Sequence, residues 1–355
     1  MITLGIETSC DETSVCLLKD GRKILSNVVY SSIQEHSRLG GVVPEIASRA
    51  HLETILLCLD RALKQAKVPL NKVNLVAVTQ GPGLMGSLLV GVSAAKALSW
   101  ALDKPLIGVD HVIAHVYAGK MSEPLLRFPF LGLVVSGGHT LILRMDSPGK
   151  VKVLGRTIDD AAGEAFDKVA KILGLRYPGG PEIDRLAKGQ DPSQIYFSRP
   201  ILSKDSLDFS FSGLKTAVFY KCGRFKKRSL GLKAKKQIAA GFQEAVCDVL
   251  VEKTLRAANR EGLRSVVVGG GVSANSRLRE KFRAAAARQD LNVVFPAVSL
   301  CRDNAAMIAG LGFALYKEGR RDRLDLPSYS DFLSFLKYGG AHAWPEKQFP
   351  TAKNP

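Results

Sequence analysis

A pattern of strands and turns occurs twice in this chain, and few folds accommodate it. In the first copy, Ile2 to Thr8 and Ser14 to Leu18 are short β-rich runs, joined by a polar turn from Glu7 to Ser14 that is crowded with hydroxyls and carboxylates. A third run, Ile24 to Tyr30, follows the turn Lys19-Asp20-Gly21-Arg22. A helix is expected from Pro44 to Lys67, with Pro44 near its first turn and apolar residues at Ile46, Ala50, Ile55, Leu56 and Leu59. The buried strand Asn74 to Thr79 then opens into the glycine loop Gly81-Pro82-Gly83-Leu84-Met85-Gly86, and an apolar helix runs to about Leu102. In the second copy, Phe130 to Val135 is a strand, Ser136-Gly137-Gly138-His139-Thr140 a tight turn, and Leu141 to Met145 and Val151 to Thr157 two further strands. The strand Arg264 to Val268 opens into Gly269-Gly270-Gly271-Val272-Ser273-Ala274-Asn275, and a helix follows from Arg277 to Arg288. This is a duplication of architecture rather than a sequence repeat.

Two α/β lobes with hairpin-rich mixed sheets and facing glycine loops describe the duplicated actin/hexokinase-like (ASKHA) nucleotide-binding fold. Two unrelated α/β domains are the alternative, which the matched loops disfavour. The expected division is residues 1–110 as lobe I, closed by a C-terminal helix over 303–317, and residues 111–302 as lobe II, with the cleft between them. Within the second copy, Asp159 to Gly174 predicts an amphipathic helix, and a turn through Tyr177-Pro178-Gly179-Gly180-Pro181 leads to another through Ile183 and Leu186. The tail over 331–355 carries aromatics but no motif.

At 355 residues there is chain enough for two cores. No run of about 18 consecutive apolar residues suggests a membrane span, and the N-terminus does not resemble a signal peptide. Six cysteines without CxxC spacing read as reduced thiols of a cytoplasmic protein. The net charge of +17 favours a polyanionic partner, nucleic acid ahead of an anionic membrane. Lys221 to Lys236 concentrates that charge, with no acid until Glu244. A solvated loop accounts for it; a contact with RNA phosphates accounts for it and the global charge together.

Glycine-rich loops between strand and helix let backbone N–H groups approach an anion, and the loops at Gly81 and Gly269 with the Ser136 turn make three. GxxxxGK[ST] is absent, so the familiar P-loop enzymes are not supported, and Gly81, Gly83 and Gly86 have only the bare GxGxxG spacing. His111 and His115 follow the apolar run Pro105 to Val109. If the chain turns helical after Asp110, they share one helix face. The spacing alone equally describes two histidines satisfied by core hydrogen bonds. Asp303, at the start of the closing helix Asp303 to Tyr316, would by itself serve as a cap. In a two-lobed fold that helix begins at the cleft, and His111, His115 and Asp303 become a two-histidine, one-carboxylate site suited to Fe(II) or Zn(II).

The run KALSWALDKPLIGVDHVIAHV from Lys96 to Val116 resembles the signature of the Kae/TsaD family, once labelled O-sialoglycoprotein endopeptidases. So do GIETSCDETS at Gly5, GGVVPEIASRAH at Gly40, LVVSGGHT at Leu133, DDAAGEAFDK at Asp159, YPGGP at Tyr177, FSFSGLKT at Phe209 and GGGVSANSRLR at Gly269. The resemblance covers roughly residues 2 to 317 without a departure from the motif pattern. It implies transfer of a threonylcarbamoyl group from threonylcarbamoyl-AMP to N6 of the tRNA adenosine just 3′ of the anticodon. Carried over by position, it makes His111, His115 and Asp303 the metal ligands, with Fe(II) ahead of Zn(II). Val134, Val135, Ser136, Gly137, Gly138, Asp167, Gly180, Asp184 and Asn275 fall on positions that bind the adenylate. Asp11 and Glu12 fall near its phosphate end, and His139 flanks the metal. The resemblance also implies a smaller homologue (TsaB) and a P-loop ATPase (TsaE) as partners, and no membrane. Two other classes compete. A metallo-glycoprotease would share the histidine pair, but Val112 stands where a zincin helix carries its glutamate. A non-catalytic ATPase or scaffold of the same fold would leave the histidines and the basic segment without a role.

Overall fold

The computed structural model describes residues 1–39, 41–200, 205–223 and 230–332. Apolar runs bounded by polar turns form the antiparallel meander β1 (Ile2–Glu7), β2 (Glu12–Lys19) and β3 (Lys23–Ser31). After α1 (Ile33–Leu39), α2 (Pro44–Ala66) begins with proline in its first turn and ends at Lys67 in the left-handed region, φ 54°. β4 (Leu75–Gly81) and β5 (Leu106–Asp110), joined by α3 (Met85–Leu102), add in parallel, giving the order β3-β2-β1-β4-β5. α4 (His111–Ser122) follows β5 without an intervening loop, and residues 123–129 lead on to the second sheet.

That sheet repeats the plan. β6 (Phe130–Val135), β7 (Thr140–Ser147) and β8 (Lys150–Arg156) form a meander. The chain then passes through α5 (Ala162–Ile172), α6 (Gly179–Ala187), α7 (Ser212–Gly223) and α8 (Leu232–Glu261). β9 (Ser265–Gly269), α9 (Ser276–Gln289) and β10 (Asn292–Val294) complete the order β10-β9-β6-β7-β8, and α10 (Ala305–Lys317) follows. Each sheet is a three-stranded meander extended by two parallel strands, so the duplication expected from the sequence is present.

Strand periodicity sorts the side chains into layers. Val76 and Val78 of β4 point to a core shared with Ile55 and Leu59 of α2 and Val92 and Ala95 of α3, whereas Leu75 and Ala77 point the other way. In the second sheet, Leu131, Leu133, Val266 and Val268 meet α5, α6, α8 and α9, while Val134 and Val267 face inward. The inward faces of both sheets share one core with α4 and α10. Glycine allows the close approach: a Cβ on Gly5 would lie 2.4 Å from the Ala305 carbonyl oxygen, and one on Gly119 would lie 2.3 Å from Val267. α4 and α10 therefore sit pressed between the sheets.

Several expectations change. The Lys221 to Lys236 segment is not a plain loop: its described ends belong to α7 and to α8, the 30-residue helix. Leu56, expected on the apolar side of α2, is 67 % exposed, with Leu52 one turn before it. α3 is long and apolar enough to cross a membrane by length and composition alone, but its Leu88, Val92 and Ala95 are buried in the fold. The glycine loop after β4 packs on its own chain, since Cβ atoms on Gly81 and Gly83 would meet the carbonyls of Tyr329 and Ser9 at 2.3 and 2.5 Å. It is not an open anion cradle. Of the 331–355 tail, all beyond Phe332 lies outside the described residues.

Candidate metal centre and substrate cleft

Two helix caps aim the three candidate ligands. Asp110, buried at the end of β5, accepts from the Ile113 amide at 2.7 Å and so starts α4 at His111. His111 and His115 then stand one turn apart, with ring centroids separated by 4.6 Å. The cap of α10 is Asn304, not Asp303: its Oδ1 accepts from the amides of Ala306 and Met307 at 3.1 and 3.2 Å. Asp303 is thereby left to face the histidines, with Oδ1 3.1 Å from His115 Nε2 and 3.5 Å from His111 Nε2. One ligand atom from each residue lies within 4.8 Å of the others.

Among the described residues, neither nitrogen of the buried His115 ring has a well-aligned hydrogen-bond partner, although Asp303 Oδ1 lies 3.1 Å from Nε2. An orphaned polar atom in the core costs about 1–3 kcal/mol. A cation between Nε2 and Asp303 removes that cost at Nε2, so the donor set fits a divalent metal. His111 is held from behind. Its Nδ1 lies 2.9 Å from Glu7 Oε2 and 3.2 Å from Ser9 Oγ. Fully buried Glu7 also accepts from Thr79 Oγ1 at 2.6 Å and from the Ser9 amide at 2.5 Å. A proton on Nδ1 shared with Glu7 leaves the Nε2 lone pair toward Asp303, the arrangement a metal-binding histidine requires.

The charges of this cluster oppose burial. Burial disfavours the imidazolium of His111, but the carboxylates of Glu7 and Asp303 outweigh it and hold its pKa up at about 9. Burial drives His115 down. Asp303 stays below the usual carboxylate range, since His111 and His115 overcome its burial. Burial, then the charges of His111 and His115, lower His139 to about 4, which places its neutral ring in the field of the triad.

The parallel strands of both sheets end on this region, where open α/β sheets bind ligands. Beyond the buried Val134 and Val135, Ser136 closes a turn, donating its amide to the His139 carbonyl at 2.8 Å and accepting from the His139 amide at its Oγ at 3.0 Å. Cβ positions at Gly137, Gly138, Gly180 and Gly271 meet nothing within 4 Å, so these backbones are open to a ligand. Gly270, at φ 89°, lies so close to Val135 that a Cβ would sit 2.5 Å from its carbonyl oxygen. Asp167 accepts from the Gly179 amide at 2.6 Å and fixes the start of α6. Asp184 accepts from Ser276 through its amide at 3.1 Å and its hydroxyl at 2.7 Å. Asn275 caps α9 through Leu278 at 3.0 Å and donates to Gln243 at 2.8 Å. Asp11 and Glu12 are buried on the opposite hairpin, and burial with the charges of Asp303 and Asp11 raises Glu12 to about 10.

The expected ligands thus converge, and His139 and Glu12 lie within their electrostatic reach. Asp167, Asp184 and Asn275 carry structural hydrogen bonds as well. Sequence reasoning missed Glu7, Ser9 and Thr79 behind His111. It also missed Tyr177, whose phenol is raised by burial and by the charges of Asp167 and Asp11 on opposite sides of the cleft. Glu7 carried a signal: it is the one charged residue of its strand, Ile2–Glu7, and ends it.

A family model described as TsaD, tRNA N6-adenosine threonylcarbamoyltransferase, matches residues 23–310. Among curated proteins of that name, one from Geobacter sulfurreducens is 54% identical over 329 residues, covering 92% of this chain and 95% of the relative. One from Thermosipho africanus is 52% identical over 319 residues, covering 90% and 96%. Among solved structures, full-length HypF in a phosphate- and nucleotide-bound form aligns with a TM-score of 0.59 at 16% identity, covering 89% of this chain and 46% of that one. The (R)-2-hydroxyglutaryl-CoA dehydratase component A of Acidaminococcus fermentans aligns at 0.53 and 15% identity, covering 90% and 100%. The fold is of the actin/hexokinase-like α/β type.

Proposed function

The chain belongs to the TsaD family of tRNA N6-adenosine threonylcarbamoyltransferases, and on that premise we propose how its cleft holds donor and metal. The reaction is transfer of a threonylcarbamoyl group to N6 of a tRNA adenosine, with threonylcarbamoyl-AMP proposed as donor and AMP as the released anion. In this reading His111, His115 and Asp303 hold one divalent ion, Fe(II) ahead of Zn(II). The observation that carries it is the buried His115 ring beside Asp303, without a well-aligned partner among the described residues. When bound, the ion supplies Lewis-acid stabilisation of the oxyanion that develops on the carbamoyl group.

The residues of the chain do the rest. Ser136 and the open backbone of Gly137 and Gly138 receive the phosphate, beside the ends of Val134 and Val135. Asp167 and Asp184 retain lone pairs for the ribose hydroxyls, while Gly180 and Asn275 bound the nucleoside. Neutral Glu12 and adjacent Asp11 line the side near the phosphate, and Glu12 in its protonated form can donate there. The exocyclic nitrogen of adenine is a weak nucleophile, so holding it against the carbonyl matters more than a strong base. His139, lowered to about 4 by burial and by the charges of His111 and His115, stays neutral there and is a poor base.

Partners and compartment belong to the same proposal. Leu52 and Leu56 on α2 and Met85 and Leu89 on α3 are exposed on helices that touch each other. Such a strip suits a TsaB-type homologue, with TsaE joining the assembly. The protein then acts in the cytoplasm, where uncharged reduced thiols and tRNA coexist; all six cysteines are unpaired. A glycoprotease reading gains no support from Val112, fully buried where a water-activating carboxylate would stand. The test is transfer of labelled threonylcarbamoyl from its adenylate to unmodified tRNA, by the chain alone and with TsaB and TsaE. Transfer that is lost on chelation and restored by metal supports the reading; transfer indifferent to chelation removes the metal from it.

A further inference from the structure

We propose that α7 is a stacking platform for the single-stranded tRNA loop that carries the target adenosine; this rests on the tRNA reading above. An adenosine paired in a helix has its N6 engaged, so the substrate must present it unpaired, with neighbouring bases unpaired as well. Such bases are bound by aromatic faces flanked by cations.

α7 offers both. Its inner side is fixed by buried Leu214 and Val218, while Phe219 and Tyr220 are 61 % and 69 % exposed. Their rings meet edge-on, with centroids 6.0 Å apart at 68°, and both are largely open to solvent. Neighbouring Lys215 and Lys221 are cationic, Lys215 lying 3.7 Å from Asp160, and α7 itself contains no acid. The sequence from Phe209 to Gln243 holds nine lysines and arginines and no aspartate or glutamate. A protein partner would ordinarily meet such aromatics with a mixed-charge rim; the basic excess of this stretch, with Asp159 and Asp160 near the first turn of α7, matches a phosphate backbone better.

The placement agrees. The first turn of α7 is tied to Asp159, which accepts from the amides of Phe211 and Ser212 at 2.8 and 3.3 Å and from the Ser212 hydroxyl at 2.8 Å. Asp159 leads into α5, whose Ala162 amide donates to Thr140 Oγ1 at 2.8 Å and whose Gly163 amide donates to the Ser136 carbonyl at 3.1 Å. α7 therefore starts one loop from the turn that borders the triad. It extends about 18 Å from there at 1.5 Å per residue. A loop that delivers an adenosine to the cleft has its flanking bases within reach of Phe219 and Tyr220.

The test uses the full chain assembled with its protein partners and an unmodified tRNA as probe. The double variant Phe219→Ala/Tyr220→Ala should raise the Kd for tRNA roughly tenfold or more, with the salt dependence unchanged because no cation is removed. Phe219→Leu/Tyr220→Leu keeps apolar area and helix while removing the π faces, so it should show the same loss even if the alanine variant folds poorly. Lys221→Ala should instead reduce the salt slope by about one. Wild-type affinity in both double variants overturns the platform, as does a loss confined to protein assembly. Running wild-type transfer to tRNA in parallel separates the two readings. If wild type transfers and the variants bind normally, only the platform fails; if wild type neither binds nor modifies tRNA, the parent reading fails with it.

Discussion

Glu7→Gln tests the metal site without touching a proposed ligand. The Glu7 carboxylate is fully buried and satisfies three donors: the Ser9 amide at 2.5 Å on one oxygen, and Thr79 Oγ1 at 2.6 Å and His111 Nδ1 at 2.9 Å on the other. Glutamine keeps the shape but has only one acceptor atom. With its oxygen toward Thr79 and His111, its NH2 meets the Ser9 N–H, donor against donor, at a cost of about 1–3 kcal/mol. With the amide flipped, His111 Nδ1 can only accept, the ring proton moves to Nε2, and the lone pair facing Asp303 is lost. The second arrangement removes a ligand; the first removes the negative charge behind it and destabilises the fold. Changes of this kind behind a metal-binding histidine cost about 10–100-fold in metal affinity. The assay is competition for Zn(II) against a chromophoric chelator, with the Tm of the metal-free protein measured alongside. Affinity within twofold of wild type, together with an unchanged Tm, would refute the role given to Glu7 and weaken that given to His111.

Three further outcomes follow from the packing. Phe242→Ala empties a fully buried site where the ring meets Phe166 edge-on at 5.2 Å, and should cost about 3–5 kcal/mol in chemical denaturation. Asp159→Ala removes the cap of α7 and should cost about 1–2 kcal/mol at neutral pH. Burial opposes the ionised Asp159, but its bonds to Ser210, Phe211 and Ser212 lower its pKa. The cap therefore contributes fully above the unfolded pKa of about 3.9 and is lost as pH falls through the lower folded value, so the Tm gap to wild type should close in acid. Gly5→Ala drives a methyl to 2.4 Å from the Ala305 carbonyl, displacing the start of α10 and with it Asp303. Metal affinity should fall in the chelator assay although position 5 lies outside the metal cluster; unchanged affinity would mean that α10 yields without moving Asp303.

The elements legible in the sequence were those with a buried face and a marked end. The strands leading into glycine loops, the proline start of α2 and the histidine helix all appear where periodicity and capping residues placed them. α8 did not announce itself, because its middle, from Ile238 to Ala258, is buried on most sides and leaves no single apolar stripe to read. Its basic first turns therefore looked like loop. The Gly81 loop misled for a related reason: glycine permits close approach by any atom, and here the atoms belong to Ser9 and Tyr329. At the site, the ligand spacing was visible, but the carboxylate behind His111 was not. Glu7 and His111 lie more than a hundred positions apart, and only the pairing of β1 with β4 and β4 with β5 brings them together.

The position of α10 between the sheets also sets a schedule for the ribosome. The strands of the first sheet are all made by Asp110, and α2 and α3 can cover one face at once. On the opposite face, where Cys16, Leu75, Ala77 and Val109 pack with α4 and α10, α4 follows at once, but Ala305 and the residues after it come roughly 195 positions later. At about 5–20 residues per second that interval is about 10–40 s. Through it the nascent chain carries a sheet face that lacks α10 while the second sheet and its helices are being synthesised. The first sheet to be made is thus the last to be completed.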